Sequence, residues 1–130
     1  MRIAFVCKHN VFRSRVAEAV FKKHNKNEKY KVISRGLFPL KRGLKNTIDS
    51  VKDIGYDISG KPRNFRYEEI KDQDLIIIVA DDVPKELFDL YGVKTIVWKI
   101  KDIYEDNIES RKKTAREIEI KVKDFIKELE

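Results

Sequence analysis

The segment Leu75-Ile76-Ile77-Ile78-Val79 is five branched apolar residues in a row, with no polar residue between them. Successive side chains of a strand point to opposite faces, so a strand with one wet face alternates. A run without alternation predicts a strand covered on both sides, as in parallel sheets flanked by helices. Three further apolar runs, Arg2–Val6, Tyr30–Ser34 and Val93–Trp98, read as its partners. Helical patterns separate them. Ser14–His24 carries Ala17, Val20 and Phe21 on one face, and the stretch from about Lys41 to Ile54 carries Leu44, Ile48 and Val51, with Gly55 as its stop. Pro84–Leu90 has proline at an expected first turn. Ile118, Val122, Phe125, Ile126 and Leu129 form the apolar stripe of a last helix, whose Lys and Glu face is most simply a solvated surface. The order βαβαβαβα predicts an α/β fold: a doubly wound, four-stranded parallel sheet with helices on both faces.

The 130 residues suit a single domain spanning 1–130, with enough chain for one core. A hydrophobic fraction of 42% argues against disorder. No apolar run approaches the roughly 20 residues of a membrane helix, and Met1–Val6 reads as a strand and not as a signal peptide. A single cysteine excludes a disulfide framework within the chain and a Cys-rich zinc site, and points to a cytoplasmic protein. The net charge of +7 favours anionic partners. The 39% content of charged residues also matches the composition of thermophile proteins, which needs no anionic ligand, so two readings of the charge stand side by side.

In such sheets, ligands bind beyond the C-terminal strand ends at the topological switch point. The first expected strand ends at Val6, and the next residues are Cys7-Lys8-His9-Asn10-Val11-Phe12-Arg13-Ser14, after which a helix begins. Cysteine, five residues, arginine and serine in that position make a phosphate cradle. A loop over a helix N-terminus aims several backbone N–H groups at one point, and the helix dipole adds positive potential. Arg13 can grip two phosphate oxygens with its planar fork. The same field favours thiolate over thiol at Cys7, and a thiolate beside a bound phosphoryl group is a nucleophile. Ser14 can donate to that sulfur and improve it as a leaving group. Lys8, His9, Asn10, Val11, Phe12 and Ser14 are therefore candidate substrate-binding residues. His9 has no cluster of metal ligands around it, and no metal or organic cofactor is expected.

The segment Phe5–Ala19 resembles the N-terminal signature of low-molecular-weight protein tyrosine phosphatases and the related thioredoxin-coupled arsenate reductases. Ser34-Arg35-Gly36 is similar to the family's Ser-Ala-Gly after the second strand, and Gly55–Ser59 to its Gly-Ile-x-x-Ser. Asp74-Leu75-Ile76-Ile77 resembles the opening of its third strand, and Asp102-Ile103-Tyr104 stands where the family has Asp-Pro-Tyr. The resemblance runs essentially the whole length of the chain. It implies Cys7 as nucleophile, Arg13 as phosphate clamp and Asp102 as general acid and then base. It also implies Asn10 in a left-handed conformation, bracing the loop through a bond to Ser34, with Tyr104 flanking the substrate. Phe38 and Leu40 lie where another substrate-side aromatic is often found, and Lys8, Arg35 and Lys41 would supply a basic rim.

Four departures stand out. Ile103 replaces the proline after the acid, which loosens that loop while keeping the carboxylate. His9 replaces a glycine. Phe12 replaces a second cysteine, so a protective disulfide is absent and the ring is expected to pack beneath the loop. A histidine that braces the loop in many phosphatases is replaced near Gly60.

The expected function is phosphomonoester hydrolysis, on protein phosphotyrosine or another phosphorylated protein or small phosphomonoester. An arsenate-like oxyanion would fit the same loop. Arsenate reduction is the first alternative, but with one cysteine it would need an external thiol. A non-enzymatic phosphate- or nucleic-acid-binding module is the second. No nucleic-acid-binding motif is present, and such a module would have no use for the cysteine and the acid.

Overall fold

The computed structural model describes residues 1–40, 44–103 and 107–130. Its four strands are β1 (Arg2–Cys7), β2 (Lys31–Gly36), β3 (Leu75–Val79) and β4 (Lys94–Trp98). They form one all-parallel sheet in the order β2-β1-β3-β4. Among the described residues, five helices accompany them: α1 (Arg13–His24), α2 (Leu44–Lys52), α3 (Tyr67–Ile70), α4 (Glu86–Asp89) and α5 (Ile108–Leu129).

The unbroken apolar runs are explained by two cores, one on each face of the sheet. Ile3 and Phe5 of β1 with Leu75, Ile77 and Val79 of β3 face one side, where α1 and α5 supply Val20, Phe21, Ile118, Val122 and Phe125. Ala4 and Val6 with Ile76 and Ile78 face the other, against Phe65, Ile70, Val83 and Phe88. The sheet is thus covered on both faces, as the sequence predicts, but unequally. The second face is closed by the one-turn helices α3 and α4 and the segments beside them. The sequence reading has no counterpart for α3, because four residues are too few to show a helical period. Pro84 precedes α4 by two residues and is not in its first turn; Lys85 is the N-cap. The expected start of α2 near Lys41 lies outside the described residues. Its end follows the glycine: Gly55 has φ +92°, and the Tyr56 N–H donates to Val51 O at 3.1 Å.

The strand order puts the switch point between β1 and β3, whose C-terminal ends open on one rim. Beyond β3 the chain is tied to the exit of β4: Ala80 N–H donates to Trp98 O and Asp81 N–H to Ile100 O, both at 3.0 Å. On the opposite edge, Gly36 bridges to Asn64, and Arg35 of β2 grips Glu69 of α3, with Nη2 donating to Oε2 at 2.7 Å.

Two outcomes follow. Ile77→Ala removes a fully buried side chain from the first core and is expected to cost about 3 kcal/mol in denaturant unfolding, the usual size for a large-to-small core change. Arg35 holds the Glu69 carboxyl below the usual carboxylate range. A depressed folded-state value stabilises above the unfolded value and is lost as pH falls through the folded one. Glu69→Gln should therefore cost about 1 kcal/mol at neutral pH and flatten the loss of stability on acidification below about pH 5.

Candidate active site

Cys7 closes β1 and is 2% exposed, and α1 begins at Arg13. The five residues between them turn back over the N-terminus of α1. The chain can turn there because Asn10 takes φ +53°, the left-handed region that asparagine tolerates better than most residues. Its backbone N–H donates to Cys7 Sγ at 3.3 Å, and its Nδ2 donates to Ser14 Oγ at 2.7 Å. Ser14 Oγ and Cys7 Sγ are hydrogen-bonded at 3.0 Å. Since the Ser14 hydroxyl accepts from Asn10, its own proton is left to donate to sulfur. Two donors thus converge on Cys7 Sγ, which is the arrangement that steadies a thiolate. The N-cap residue Phe12 offers no side-chain cap, and its ring is buried in the core, as the sequence predicts.

The expected bond from Asn10 to Ser34 is not formed. Asn10 spends its amide on Ser14 and accepts the Arg63 N–H at 2.8 Å through Oδ1. Ser34 Oγ instead donates to Glu18 Oε1 at 2.9 Å. The loop is braced, but by the 58–63 segment, where Arg15 Nη2 donates to Ile58 O and, at 2.9 Å, to Gly60 O. This guanidinium holds the stretch where the family's bracing histidine is missing.

Gly36 is required at the end of β2. A Cβ there would stand 2.8 Å from both Cβ and N of Asn10 and 2.9 Å from C of His9. Beyond it the chain runs beside the loop: Phe38 N–H donates to Lys8 O at 2.8 Å, and His9 Nδ1 is hydrogen-bonded to Phe38 O at 2.9 Å. Lys8, His9 and Val11 are half-buried, while Phe38 is exposed by 64% and Leu40 by 40%, so both stand free at the rim. Arg35 does not serve that rim, because it is committed to Glu69. Lys41 and Tyr104 lie outside the described residues.

Arg13 is 3% exposed. Its Nη1 donates to Ile100 O at 2.9 Å, and its Nη2 donates to Asp82 Oδ1 at 3.0 Å. Asp81 and Asp102 approach the same guanidinium at 3.7 and 3.8 Å. The outer end of the fork is therefore fixed by the exits of β3 and β4, and Nε makes no hydrogen bond among the described residues. Asp102 Oδ1 accepts the Ile103 N–H at 2.8 Å, and the side chain stays about one-third exposed. The structure thus brings Cys7, Asn10, Arg13, Ser14 and Asp102 to one mouth. Sequence reasoning missed Asp81 and Asp82, whose signal was their position directly past the third strand. It also missed Arg15, which shares the polar face of α1 with Glu18 and Lys22 and is nonetheless buried. No group of three or more metal-ligating side chains occurs among the described residues.

An open parallel sheet whose first strand ends in a cysteine-bearing loop over an uncapped helix, with an arginine closing that loop, defines a class of α/β proteins with an oxyanion cradle at the switch point. A family model for low molecular weight phosphotyrosine protein phosphatase matches residues 2–130, and the chain belongs to that family. Solved structures agree. The low molecular weight protein tyrosine phosphatase from T. tengcongensis superposes with a TM-score of 0.84 at 26% identity, covering 98% of this chain and 99% of that one. The arsenate reductase from Archaeoglobus fulgidus gives 0.75 at 25%, covering 95% and 98%. A YwlE mutant from Bacillus subtilis gives 0.85 at 23%, covering 99% and 98%, a likeness of fold.

The close approach at Gly36 yields a test. Gly36→Ala must push back the Asn10 backbone, with an expected cost of about 2 kcal/mol in thermal or denaturant unfolding, in the range of overpacking. Phosphate should also protect Cys7 from alkylation less well, because the cradle opens. Unchanged stability and protection would mean that the loop does not rest on β2.

Proposed function

We propose that this protein hydrolyses phosphomonoesters, with protein phosphotyrosine as the favoured class, acting as one domain in the cytoplasm. One observation carries the reading. Two donors converge on Cys7 Sγ at the mouth of an uncapped helix, where Arg13 and Asp102 meet. The Cys7 thiolate attacks phosphorus, the bond from phosphorus to the ester oxygen breaks, and Asp102 in its acid form protonates the leaving oxygen. Water then attacks the phosphocysteine. Asp102 takes the water's proton, the S–P bond breaks, Cys7 returns as thiolate and inorganic phosphate leaves. Loop N–H groups and the free Nε edge of Arg13 stabilise the charge on the equatorial oxygens, so the steps call for no metal ion. Ile100 O and Asp82 orient that arginine. Lys8, His9, Asn10, Val11 and Phe12 supply the loop backbone around the phosphoryl group. Phe38 at the rim gives an aromatic leaving group a surface to lie on, which favours aryl over short alkyl esters. Tyr104, outside the described residues, is proposed to flank the substrate, as the family resemblance implies. The family match supports a phosphatase, and the likeness to the T. tengcongensis enzyme supports the tyrosine-directed reading.

Arsenate reduction is the second reading, favoured by the likeness to the A. fulgidus arsenate reductase. With Cys7 the chain's single cysteine, the electrons would have to come from an external thiol.

Hydrolysis of p-nitrophenyl phosphate in the presence of EDTA decides between them. Wild-type protein should turn over, Cys7→Ser should abolish turnover, and Asp102→Asn should lower kcat by about 10²- to 10⁴-fold, the usual weight of a general acid. Parallel assays on phosphotyrosine and phosphoarginine peptides rank the substrates. A folded wild type that is inert to esters, yet reduces arsenate with added thiol, would replace the proposal with the second reading.

A further inference from the structure

Behind the phosphate loop, on the side away from Asp102, lies a cavity of about 220 Å³ to which the chemistry above gives no role. Five cationic side chains line it, Arg15, Lys22, Arg35, Lys61 and Arg63, against one carboxylate, Glu18. Two of the five are compensated: Lys22 pairs with Glu18 at 3.1 Å, and Arg35 with Glu69 at 2.7 Å. Glu18 is further engaged by the Ser34 hydroxyl. Lys61 and Arg63 make no ion pair among the described residues. Arg15 is 5% exposed, and its Nη1 is sealed from solvent without a hydrogen-bond partner. A buried guanidinium nitrogen left unpaired is costly, and a charge inside low-dielectric walls projects its field into the nearest opening. Burial pulls Arg15 below its ordinary value, although the carboxylates of Glu18 and Asp57 act against that. Asp57 itself accepts the Ser59 N–H.

From this we infer that the cavity bounded by Arg15, Lys61 and Arg63 is a second anion site, which takes a small tetrahedral oxyanion of the phosphate or sulfate class. The volume equals that of about seven liquid waters, enough for one such ion with part of its hydration shell. Lys61 and Arg63, which make no ion pair among the described residues, and the buried Arg15 supply the charge, and Ser34 and Ser59 line the same space. The site is distinct from the cradle at Cys7 but is joined to it. Arg63 N–H is held by Asn10 Oδ1, and Asn10 Nδ2 donates to the Ser14 hydroxyl that meets Cys7. An ion held by Lys61 and Arg63 in the field of Arg15 therefore fixes the segment on which Asn10 leans. Inorganic phosphate, the product of the proposed reaction, has the right chemistry, but occupancy of this site does not depend on that reaction.

The test is a titration of full-length protein with sodium phosphate, followed in ¹H–¹⁵N spectra at fixed ionic strength, with sodium chloride as control and sodium sulfate as a second oxyanion. The Ser59, Gly60 and Arg63 amides report the second site; those of Lys8 and Val11 report the loop. Saturable shifts are expected in both sets with phosphate and sulfate, and not with chloride. In the double variant Lys61→Glu/Arg63→Glu, affinity read at Ser59 and Gly60 should fall at least about tenfold, while the loop set still titrates, which also shows that the variant is folded. A shift merely relayed from the loop would survive that variant. Its survival, an equal response to chloride, or no saturable shift at Ser59 and Gly60 in the wild type would each overturn the proposal. Loss of both sets would call for Lys61→Gln/Arg63→Gln, in which a retained loop titration with unweakened Ser59 and Gly60 shifts overturns it as well.

Discussion

The left-handed turn at Asn10 is what the rim of this molecule depends on. A strand that ran straight into a helix would leave the helix N-terminus pointing at its own connection. One residue with positive φ folds the connection back, so that sulfur, helix end and arginine face a common space. Asparagine then does three things from that position: its N–H reaches Cys7 Sγ, its Nδ2 reaches Ser14, and its Oδ1 accepts from Arg63. Each contact restrains a different segment, and all three fail together if the turn relaxes. The turn itself is held from outside by β2, which approaches so closely that residue 36 cannot carry a side chain without displacing something.

Arg13 shows a second constraint, of charge. A guanidinium with 3% exposure needs compensation, and the phosphate grip proposed for Arg13 also needs part of it left uncommitted. The fold meets both demands by spending only the outer nitrogens. Ile100 O and Asp82 hold Nη1 and Nη2, while Asp81 and Asp102 add negative potential from nearly 4 Å. All four partners follow β3 or β4, and the backbone bonds from Ala80 and Asp81 to Trp98 and Ile100 lock those exits together. The clamp is therefore set by sheet register as well as by the loop that contains it.

The same distinction explains what could be read from the residues alone. The strands were legible because burial on both faces leaves an unmistakable run at 75–79, and the loop was legible because its chemistry is contiguous between one strand and one helix. Arg13 and Asp102 were legible as residues, but the carboxylates that aim Arg13 were not, since nothing local marks Asp81 and Asp82 as partners of a residue about seventy positions earlier. The one-turn α3 lacked a period to detect. The expected Asn10–Ser34 bond failed for a related reason. A side chain's choice among several nearby partners is decided by tertiary competition, and here Glu18 takes Ser34 while Arg63 takes Asn10. The role of Arg15 was hidden by its neighbours: an arginine at the start of a helix reads as solvated until the segment at 58–60 is folded over it.

The placement of charge also sharpens the two readings of the net +7. On α5 the basic residues are interleaved with acidic ones: Arg116 meets Glu119 at 3.1 Å, and Lys112 reaches Asp53 at 2.5 Å. That pattern is the solvated, mutually screened surface that composition alone would suggest. The cations behind the phosphate loop are arranged differently. They converge from α1, from the end of β2 and from the 59–63 segment on one concave space, with a single carboxylate among them. Random surface charge does not converge, and a chain gains nothing in stability by burying Arg15 with a nitrogen unpaired. Part of the excess positive charge is thus placed where an anion can use it, beside the residue on which the catalytic loop leans. The charge that surrounds Arg13, by contrast, is negative. The two sides of the loop thus differ in sign: carboxylates gather around Arg13 on one side, and cations around the cavity on the other.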